Sequence, residues 1–172
     1  PSVDLVVVGQ GEDTFAEVVD RCAAGASLAG VYGTVSRMGM APPRVLHDNN
    51  ELPAHDYRLI DVPRYFAAKH KPQFDYISSQ GCRFRCAFCA DPAVFARGWT
   101  GLTPDRVADE VSYLHDRYGS DDLAFQDETF VTYAQRIDGL AESFLERGLP
   151  ITWTATLRAD QACRLGEDLF AK

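Results

Sequence analysis

Hydrophobic residues follow two alternating patterns in the second half of the chain. Three short apolar runs have the length of buried strands, at residues 74–79, 122–126 and 151–156. Following these runs, apolar residues recur every three or four positions, as on one face of a helix, at residues 104–118, 133–147 and 160–172. Strands that alternate with helices form a parallel sheet with right-handed crossovers. We therefore expect an α/β fold whose functional side chains lie at the carboxyl ends of the strands.

Sequence signals mark the ends of two of these helices. Thr103 and Pro104 are favoured as an N-cap and a first helical residue, and Gly119 and Gly148 stand where helices end. The apolar positions predicted to face the core are Val107, Val111, Leu114, Tyr118, Ile137, Leu140, Phe144 and Leu145.

The N-terminal segment contains one further strand, turn and helix. Residues 4–8 form a continuous apolar strand that stops at Gly9, and Thr14 with Glu17 has the spacing of a capping box. The predicted inner face of this helix is Phe15, Val18, Val19 and Cys22. One such unit cannot bury both of its faces, so we expect its partner strands upstream of this chain. The chain begins at Pro1 and stops inside a predicted helix, which indicates a fragment.

Composition and charge exclude several classes of protein. Of the 172 residues 46% are hydrophobic, which is too many for a disordered chain. The formal net charge is −8, and an acidic chain lacks the basic face that binds nucleic acid nonspecifically. No apolar run approaches the roughly 20 residues that span a bilayer, and no basic segment precedes residues 5–8 as in a signal peptide. We therefore expect a cytoplasmic protein with no membrane span and no nucleic-acid partner.

Three of the five cysteines, Cys82, Cys86 and Cys89, lie within eight residues directly after the first predicted strand of the second half. Three thiols cannot all pair with each other as disulfides, and clustered thiolates select zinc or an iron–sulfur cluster. A structural zinc site needs a fourth ligand at short spacing, and His70 and His115 are both remote in sequence. Three thiolates on a four-iron cluster leave one iron open for a substrate or cofactor.

The remaining residues of this loop and the other two cysteines have simpler predicted roles. Arg83 and Arg85 would offset cluster charge and influence its potential, while Phe84 and Phe88 would shield it from water. The two remote cysteines fall on helical apolar faces and are predicted to be packing thiols, Cys22 and Cys163.

The C-x3-C-x-aromatic-C loop after a first strand resembles that of the radical S-adenosylmethionine superfamily. The resemblance implies that Cys82, Cys86 and Cys89 hold a 4Fe-4S cluster whose fourth iron binds the amine and carboxylate of S-adenosylmethionine. One-electron reduction would then cleave the sulfonium and release a 5′-deoxyadenosyl radical. An electron donor such as flavodoxin or ferredoxin and a small-molecule substrate are the implied partners.

Polar side chains at the predicted strand ends are candidate binding residues. Asp127 and Glu128 end the second strand, and the resemblance implies contact with the amino group of S-adenosylmethionine; helix capping or a solvated turn is the alternative. Arg158 ends the third strand, and the resemblance implies contact with the methionyl carboxylate or the ribose; an ion pair with Asp160 is the alternative.

Two serines and one tryptophan near the cysteine loop are further candidate residues. Ser78 and Ser79 precede the cysteine loop and could donate hydrogen bonds to the cluster or a ligand, or could simply end a strand. Trp99 follows the loop and is predicted to pack rather than to cover the site.

Residues 3–15 resemble the last strand, turn and helix of the cobalamin-binding domain that precedes many radical S-adenosylmethionine enzymes. That family usually has Gly-Glu-Gly-Glu in the turn, and here Gln10 replaces the first Glu. The cobalt-ligand motif D-x-H-x-x-G is absent from this sequence, and it would lie upstream. Cobalamin is therefore an expected cofactor from the architecture alone.

Together these features predict the first half of a (βα)6 partial TIM barrel, preceded by the last β-α unit of a Rossmann-like cobalamin-binding domain. The predicted parts are residues 1–28 for the cobalamin-binding-like end, 29–72 for a proline-punctuated connector with a short strand at 31–36, and 73–172 for the radical core. We expect the 172 residues alone to be inactive.

The predicted function is reductive cleavage of S-adenosylmethionine in the service of cobalamin-dependent methyl transfer to carbon. Alternatives within the family are the anaerobic oxidative cyclization of magnesium-protoporphyrin monomethyl ester and methylthiolation. Alternatives of another class are a zinc-binding or interaction module and an electron-transfer iron–sulfur protein.

Overall fold

The computed structural model describes residues 3–167 and residue 169. The helices in this part are α1 (Glu12–Ala23), α2 (Val62–Lys69), α3 (Asp91–Val94), α4 (Pro104–Tyr118), α5 (Ala134–Glu146) and α6 (Ala159–Ala162). The strands are β1 (Leu5–Val7), β2 (Thr34–Ser36), β3 (Gly39–Met40), β4 (Gln73–Tyr76), β5 (Ser79–Gln80), β6 (Thr100–Gly101), β7 (Asp122–Phe125) and β8 (Thr152–Ala155). Two short 3-10 turns cover Asn49–Glu51 and Tyr57–Leu59.

The chain divides into two compact units. The N-terminal unit runs to His47 and also includes Phe84–Gly98, and the C-terminal unit contains Asp48–Arg83 and the residues from Trp99 onward. The segment predicted as a connector, residues 29–72, is thus shared between the units. Its first part forms β2 and β3, and its last part forms α2.

A parallel sheet in the order β4-β7-β8 forms the centre of the C-terminal unit. Phe74 of β4 lies opposite Leu123 of β7, which lies opposite Trp153 of β8. Helix α4 connects the first pair of strands and α5 the second, which confirms the predicted alternation and the parallel sheet. The strand predicted at 74–79 is shorter than expected, because β4 ends at Tyr76 and Ser79–Gln80 pair with β6 in a separate sheet.

Helices α4 and α5 cover this sheet with the apolar faces that the sequence predicts. The hydroxyl of Thr103 accepts the N–H of Arg106 at the start of α4, and Gly119 ends that helix with φ at +68°. The residues of these faces that are buried are Val107, Val111, Leu114, Ile137, Leu140 and Phe144. The prediction for Leu145 is wrong, since 62% of its surface is exposed. It follows Phe144 directly, and two adjacent helical residues project about 100° apart.

The N-terminal unit contains a three-stranded antiparallel sheet in the order β1-β2-β3. Val6 of β1 lies opposite Val35 of β2, which lies opposite Met40 of β3. The strand predicted at 31–36 is present as β2. One partner of β1 thus follows it in the chain, and β1 lies at the edge of this sheet, so the expectation of further partner strands upstream stays a prediction.

Helix α1 differs from its prediction at both its cap and its face. Its N-cap is Gly11, and Thr14 is fully buried, donating to the carbonyl of Tyr32 and accepting from Arg44 Nε, so the capping box is absent. The predicted inner residues Phe15, Val19 and Cys22 are exposed. Within the described chain these side chains lie on the face of α1 that no other element covers.

Two other predictions concern the C-terminal end and the remote thiols. The third predicted helix, at 160–172, begins as the short α6, and its residues 168 and 170–172 lie outside the described part. Cys163 caps the end of α6 and is exposed, so the prediction that it is a packing thiol is wrong, as it is for Cys22.

Over residues 3–167 and 169, the helices are all too short or too polar to cross a membrane.

The core contact of α4 gives a direct stability test. Leu114 is 1% exposed, so Leu114→Ala is expected to lower the free energy of unfolding by about 2–5 kcal/mol, measured by urea denaturation. The matched control is Leu145→Ala, which truncates an exposed leucine of α5 and should change this energy by less than about 0.5 kcal/mol. Equal effects of the two variants would contradict the assigned packing.

The acid response of Asp122 gives a second test. Burial would raise the pKa of this carboxyl, but hydrogen bonds from Lys71 and Gln73 outweigh it and hold the pKa below its usual value. A carboxyl whose pKa is lowered on folding stabilises the fold at neutral pH, and this contribution is lost on acidification. Between about pH 5 and about pH 3, Asp122→Asn should therefore lose less stability than the unaltered protein. Asp121→Asn, a change at the neighbouring exposed residue, should behave like the unaltered protein.

Candidate functional site

The three clustered cysteines follow β5 directly. Cys82 belongs to the C-terminal unit, whereas Cys86 and Cys89 belong to the N-terminal unit. The N–H of Cys89 donates to the carbonyl of Cys86 at 3.1 Å, which closes one tight turn. All three cysteines are reduced, with Cys82 and Cys86 half-buried and Cys89 exposed. The donor set is therefore three reduced and accessible thiols, which is the set that soft metal centres prefer.

A single metal ion would need several ligands around one point. Among residues 3–167 and 169, no group of three or more His, Cys, Asp or Glu side chains is close enough to hold an ion. Ligands of a mononuclear zinc lie about 2.0–2.3 Å from one centre. A cluster of four irons is different in kind, because each thiolate binds a separate iron.

The base of the cysteine loop is a short antiparallel pair. Ser79 of β5 lies opposite Gly101 of β6, and Gln80 lies opposite Thr100, so residues 81–99 are enclosed by this pair. The N–H of Leu102 donates to the carbonyl of Ser78 at 2.9 Å and extends the pairing by one bond. A Cβ on Gly101 would lie 2.6 Å from the Trp99 ring, so only glycine fits here without moving that ring.

Asp127 lies beneath this base and is 4% exposed. One oxygen accepts the N–H of Ser78 at 2.8 Å, and the other accepts the hydroxyls of Ser78 and Ser79 at 2.7 and 2.6 Å. A buried carboxylate needs such donors to offset its lost hydration. Both oxygens of Asp127 are therefore engaged within the protein, and the two serine hydroxyls face Asp127.

Glu128 has a different environment from its neighbour. It is exposed, and its carboxylate accepts the N–H of Gly81 at 3.1 Å, next to Cys82. The two adjacent carboxylates after β7 thus have different environments. Asp127 is buried beneath the base of the loop, and Glu128 is exposed next to the first cysteine of the loop.

Arg158 follows β8, as predicted, and makes an ion pair. Its Nε and Nη2 donate to the two carboxylate oxygens of Asp160 at 2.9 and 3.2 Å. The hydrogen bond from Arg158 is the main reason why the pKa of Asp160 lies below its usual value. The structure thus contains the ion pair that the sequence left open as the alternative.

The side chains of the loop itself are more exposed than expected. Phe88 was predicted to shield a cluster from water, and it is 93% exposed in this chain. Phe84 is half-buried, and Arg85 is exposed. Arg83 lies 5.4 Å from the ring centroid of Tyr133, where the cation can interact with the ring face.

Sequence analysis missed Arg136, which contacts the same base. Its Nη2 donates to both the carbonyl and the hydroxyl of Ser78, and its Nε donates to the carbonyl of Leu102. Its guanidinium lies 5.8 Å from the Trp99 ring, which also packs edge-on against Tyr133 at 5.0 Å. The available signal was an arginine in the first turn of α5, where the helix dipole disfavours a cation.

Curated proteins similar to this chain are methyltransferases and a cyclase. An uncharacterized methyltransferase of Pyrococcus horikoshii is 35% identical over an alignment of 165 residues, and the match covers 93% of this chain and 36% of that protein. The anaerobic magnesium-protoporphyrin IX monomethyl ester cyclase of Synechocystis is 24% identical, over 95% of this chain and 34% of that protein. The hopanoid C-3 methylase of Methylococcus capsulatus is 28% identical, over 72% of this chain and 24% of that protein. The chain thus spans about a third of the first two relatives' length.

The fold of this chain is similar to part of a solved structure. The radical S-adenosylmethionine methyltransferase TsrM from Kitasatospora setae, with its tryptophan substrate and an S-adenosylmethionine analogue bound, matches with a TM-score of 0.64 and 20% identity. The match covers 84% of this chain and 30% of TsrM. TsrM with cobalamin and a 4Fe-4S cluster bound matches with a TM-score of 0.62 and 21% identity. No family model matches this chain. The relatives and the mixed α/β fold together support the resemblance: the chain is similar to methyltransferases and a cyclase over most of its length, and its fold is similar to part of a radical S-adenosylmethionine methyltransferase.

Proposed function

We propose that this chain is the cluster-binding part of a radical S-adenosylmethionine enzyme that transfers a methyl group to carbon. The observation that carries this proposal is the C-x3-C-x2-C loop after the first strand of a parallel sheet, in a chain 35% identical to a methyltransferase over 93% of its length. The TsrM likeness supports it, since 84% of this chain matches part of the fold of a radical methyltransferase.

Cys82, Cys86 and Cys89 are the proposed ligands of a 4Fe-4S cluster. Their thiols fit this group, because they are reduced, reachable and three in number, which leaves one iron for a ligand other than protein. When bound, the cluster supplies the single electron that cleaves the sulfonium of S-adenosylmethionine. Reduced flavodoxin or ferredoxin is the proposed donor of that electron, and a small molecule is the proposed methyl acceptor.

Glu128 is the proposed partner of the S-adenosylmethionine amino group. It is an exposed carboxylate at the carboxyl end of a parallel strand, and its bond to the Gly81 N–H holds it beside Cys82. A carboxylate binds an ammonium group with a charge-assisted hydrogen bond. Asp127 is engaged with two serines, so its proposed part is to hold Ser78 and Ser79 beneath the loop.

Arg158 and Phe88 are weaker candidates for the same ligand. Contact of Arg158 with the ligand carboxylate requires release of Asp160, and its ion pair is on the surface, where such pairs contribute little. Phe88 is exposed and could cover a bound ligand only after a change in side-chain position.

Cobalamin is the proposed methyl carrier, supported by its presence in the TsrM structure. In the N-terminal unit, Gly9 and Gln10 border a cavity of about 580 Å³ whose walls are mainly apolar. We propose that this turn forms part of the wall of a cofactor site. This chain has no D-x-H-x-x-G motif to bind the cobalt.

For the fold of the whole protein we propose the partial TIM barrel that the sequence predicts. The β4-β7-β8 sheet would be the first part of that barrel.

Oxidative cyclization is a second candidate reaction. It is favoured by the cyclase relative, whose 24% identity extends over 95% of this chain. Methyl transfer remains the first choice, because two of the curated relatives are named as methyl-transferring enzymes, and both are more identical to this chain than the cyclase is.

The cluster assignment is tested by substitution of one thiol in the full-length protein. After anaerobic reconstitution with iron and sulfide, the unaltered protein should hold about four irons, and Cys86→Ala should lose most of them, measured by iron and sulfide analysis. Cys22→Ala is the matched control, since Cys22 is an exposed cysteine outside the loop, and it should keep the full iron content.

Two results would count against the proposal. Retention of all the iron by Cys86→Ala would exclude this thiol as a ligand. One zinc without sulfide in protein purified anaerobically would favour a zinc-binding module instead.

The assignment of Glu128 is tested by ligand affinity. Glu128→Gln keeps the shape of the side chain but removes its charge, so the Kd for S-adenosylmethionine should rise on the order of tenfold, the cost of one charge-assisted hydrogen bond. The measurement is anaerobic calorimetry on cluster-loaded protein. Glu146→Gln, at an exposed glutamate of α5, should leave the Kd unchanged. Equal Kd values for both variants would remove Glu128 from the site.

A further inference from the structure

Arg136 occupies an unusual place for a cation. It is the third residue of α5, where the unpaired N–H groups of the first turn favour a negative charge. Burial lowers the pKa of its guanidinium, and the nearby Asp127 acts in the opposite direction. An arginine remains protonated in proteins, so its charge must be satisfied by acceptors within this site.

The acceptors of Arg136 lie on both sides of the loop base. On the β6 side, its Nε donates to the carbonyl of Leu102 at 3.0 Å. On the β5 side, its Nη2 donates to the carbonyl of Ser78 at 3.0 Å and to the Ser78 hydroxyl at 2.9 Å. One planar group therefore joins the residue that precedes β5 to the residue that follows β6.

The Ser78 hydroxyl connects Arg136 to the buried carboxylate of Asp127. The Ser78 hydroxyl accepts from Arg136 and donates to Asp127 at 2.7 Å, so it links the cation to the anion. A hydroxyl has one proton and two lone pairs, so it can make both bonds at once. The Trp99 ring lies against the guanidinium on another side, and Gly101 allows its close approach.

We propose that Arg136 is a positioning residue for the cluster loop, acting as a clamp on the base formed by β5 and β6. The proposal rests on the cluster function proposed above. The Cys82 end of the loop is two residues from β5, so the spacing of the base determines where that end of the loop begins. The clamp depends on the fork of the guanidinium, because two separate nitrogens bond to the two sides.

This geometry distinguishes a clamp from a simple counter-charge to Asp127. A lysine would keep the positive charge, but its single nitrogen on a flexible stem does not reproduce the planar fork. Arg136→Lys should therefore lose the cluster about as fast as Arg136→Met does. If charge alone mattered, the lysine variant would behave like the unaltered protein.

The experiment measures how fast the reconstituted full-length protein loses its cluster. The variants are held anaerobically with an iron chelator, below the unfolding temperature of each, and the decay of the cluster absorbance is followed. Arg136→Met and Arg136→Lys should lose the cluster on the order of tenfold faster than the unaltered protein, the factor expected for lost hydrogen bonds to a charged group. Ser78→Ala, which removes only the shared hydroxyl, should show a smaller acceleration.

Arg147 provides the matched control on the same helix. It lies at the other end of α5, donates to the carbonyl of Ser143, and pairs with Asp109 on the surface. Arg147→Met and Arg147→Lys remove an arginine of the same element without touching the loop base. Both should keep the cluster as long as the unaltered protein does.

Each outcome decides the proposal. Cluster loss from Arg136→Met at the rate of Arg147→Met would overturn it, and so would full rescue by Arg136→Lys. Circular dichroism before the chelator is added shows whether a variant is folded, and Ser78→Ala still tests the clamp if both Arg136 variants unfold. If the unaltered protein takes up no cluster, the proposed function is refuted, and this inference with it. If the unaltered protein holds a cluster and the Arg136 variants lose it no faster, only this inference is refuted.

Discussion

The structure around the cysteine loop depends on one buried carboxylate. Asp127 is 4% exposed, and its two oxygens accept three hydrogen bonds from Ser78 and Ser79. An ionised group in this position is tolerable only when donors replace the lost water. The bond to the Ser78 N–H lies between the end of β4 at Tyr76 and Ser79, the residue that pairs with β6. The start of the cysteine loop, the place of Glu128 and the contacts of Arg136 all follow from this arrangement.

Much of the C-terminal unit could be predicted because several local signals agree with one another. The cap at Thr103, the stop at Gly119 and the stripe through Val111 and Leu114 all define α4, and the structure contains it at those bounds. Strands followed by such helices have few possible arrangements, so the parallel order follows. The cysteine motif could be read directly because its spacing is itself the chemical signal, independent of the surrounding packing.

Other features could not be read from local patterns. Asp127 and Glu128 are adjacent carboxylates, and their different burial depends on tertiary contacts such as the bond from Ser78 to Asp127. The buried face of α1 could not be predicted from the local pattern either. Phe15 has the spacing of a core residue, but it is 62% exposed in this chain. Arg136 was missed because its acceptors include two main-chain carbonyls, which leave no trace in side-chain sequence.

The position of Trp99 gives the molecule an optical probe of its own. The chain has two tryptophans, and Trp153 is 44% exposed on β8, whereas Trp99 lies between Tyr133 and the Arg136 guanidinium. Indole emission moves to shorter wavelength in a dry environment and is sensitive to a neighbouring cation, so the two rings should differ in colour. The fluorescence of Trp99 therefore reports the state of the loop base in the unlabelled protein, on the timescale of mixing experiments and without reference to turnover.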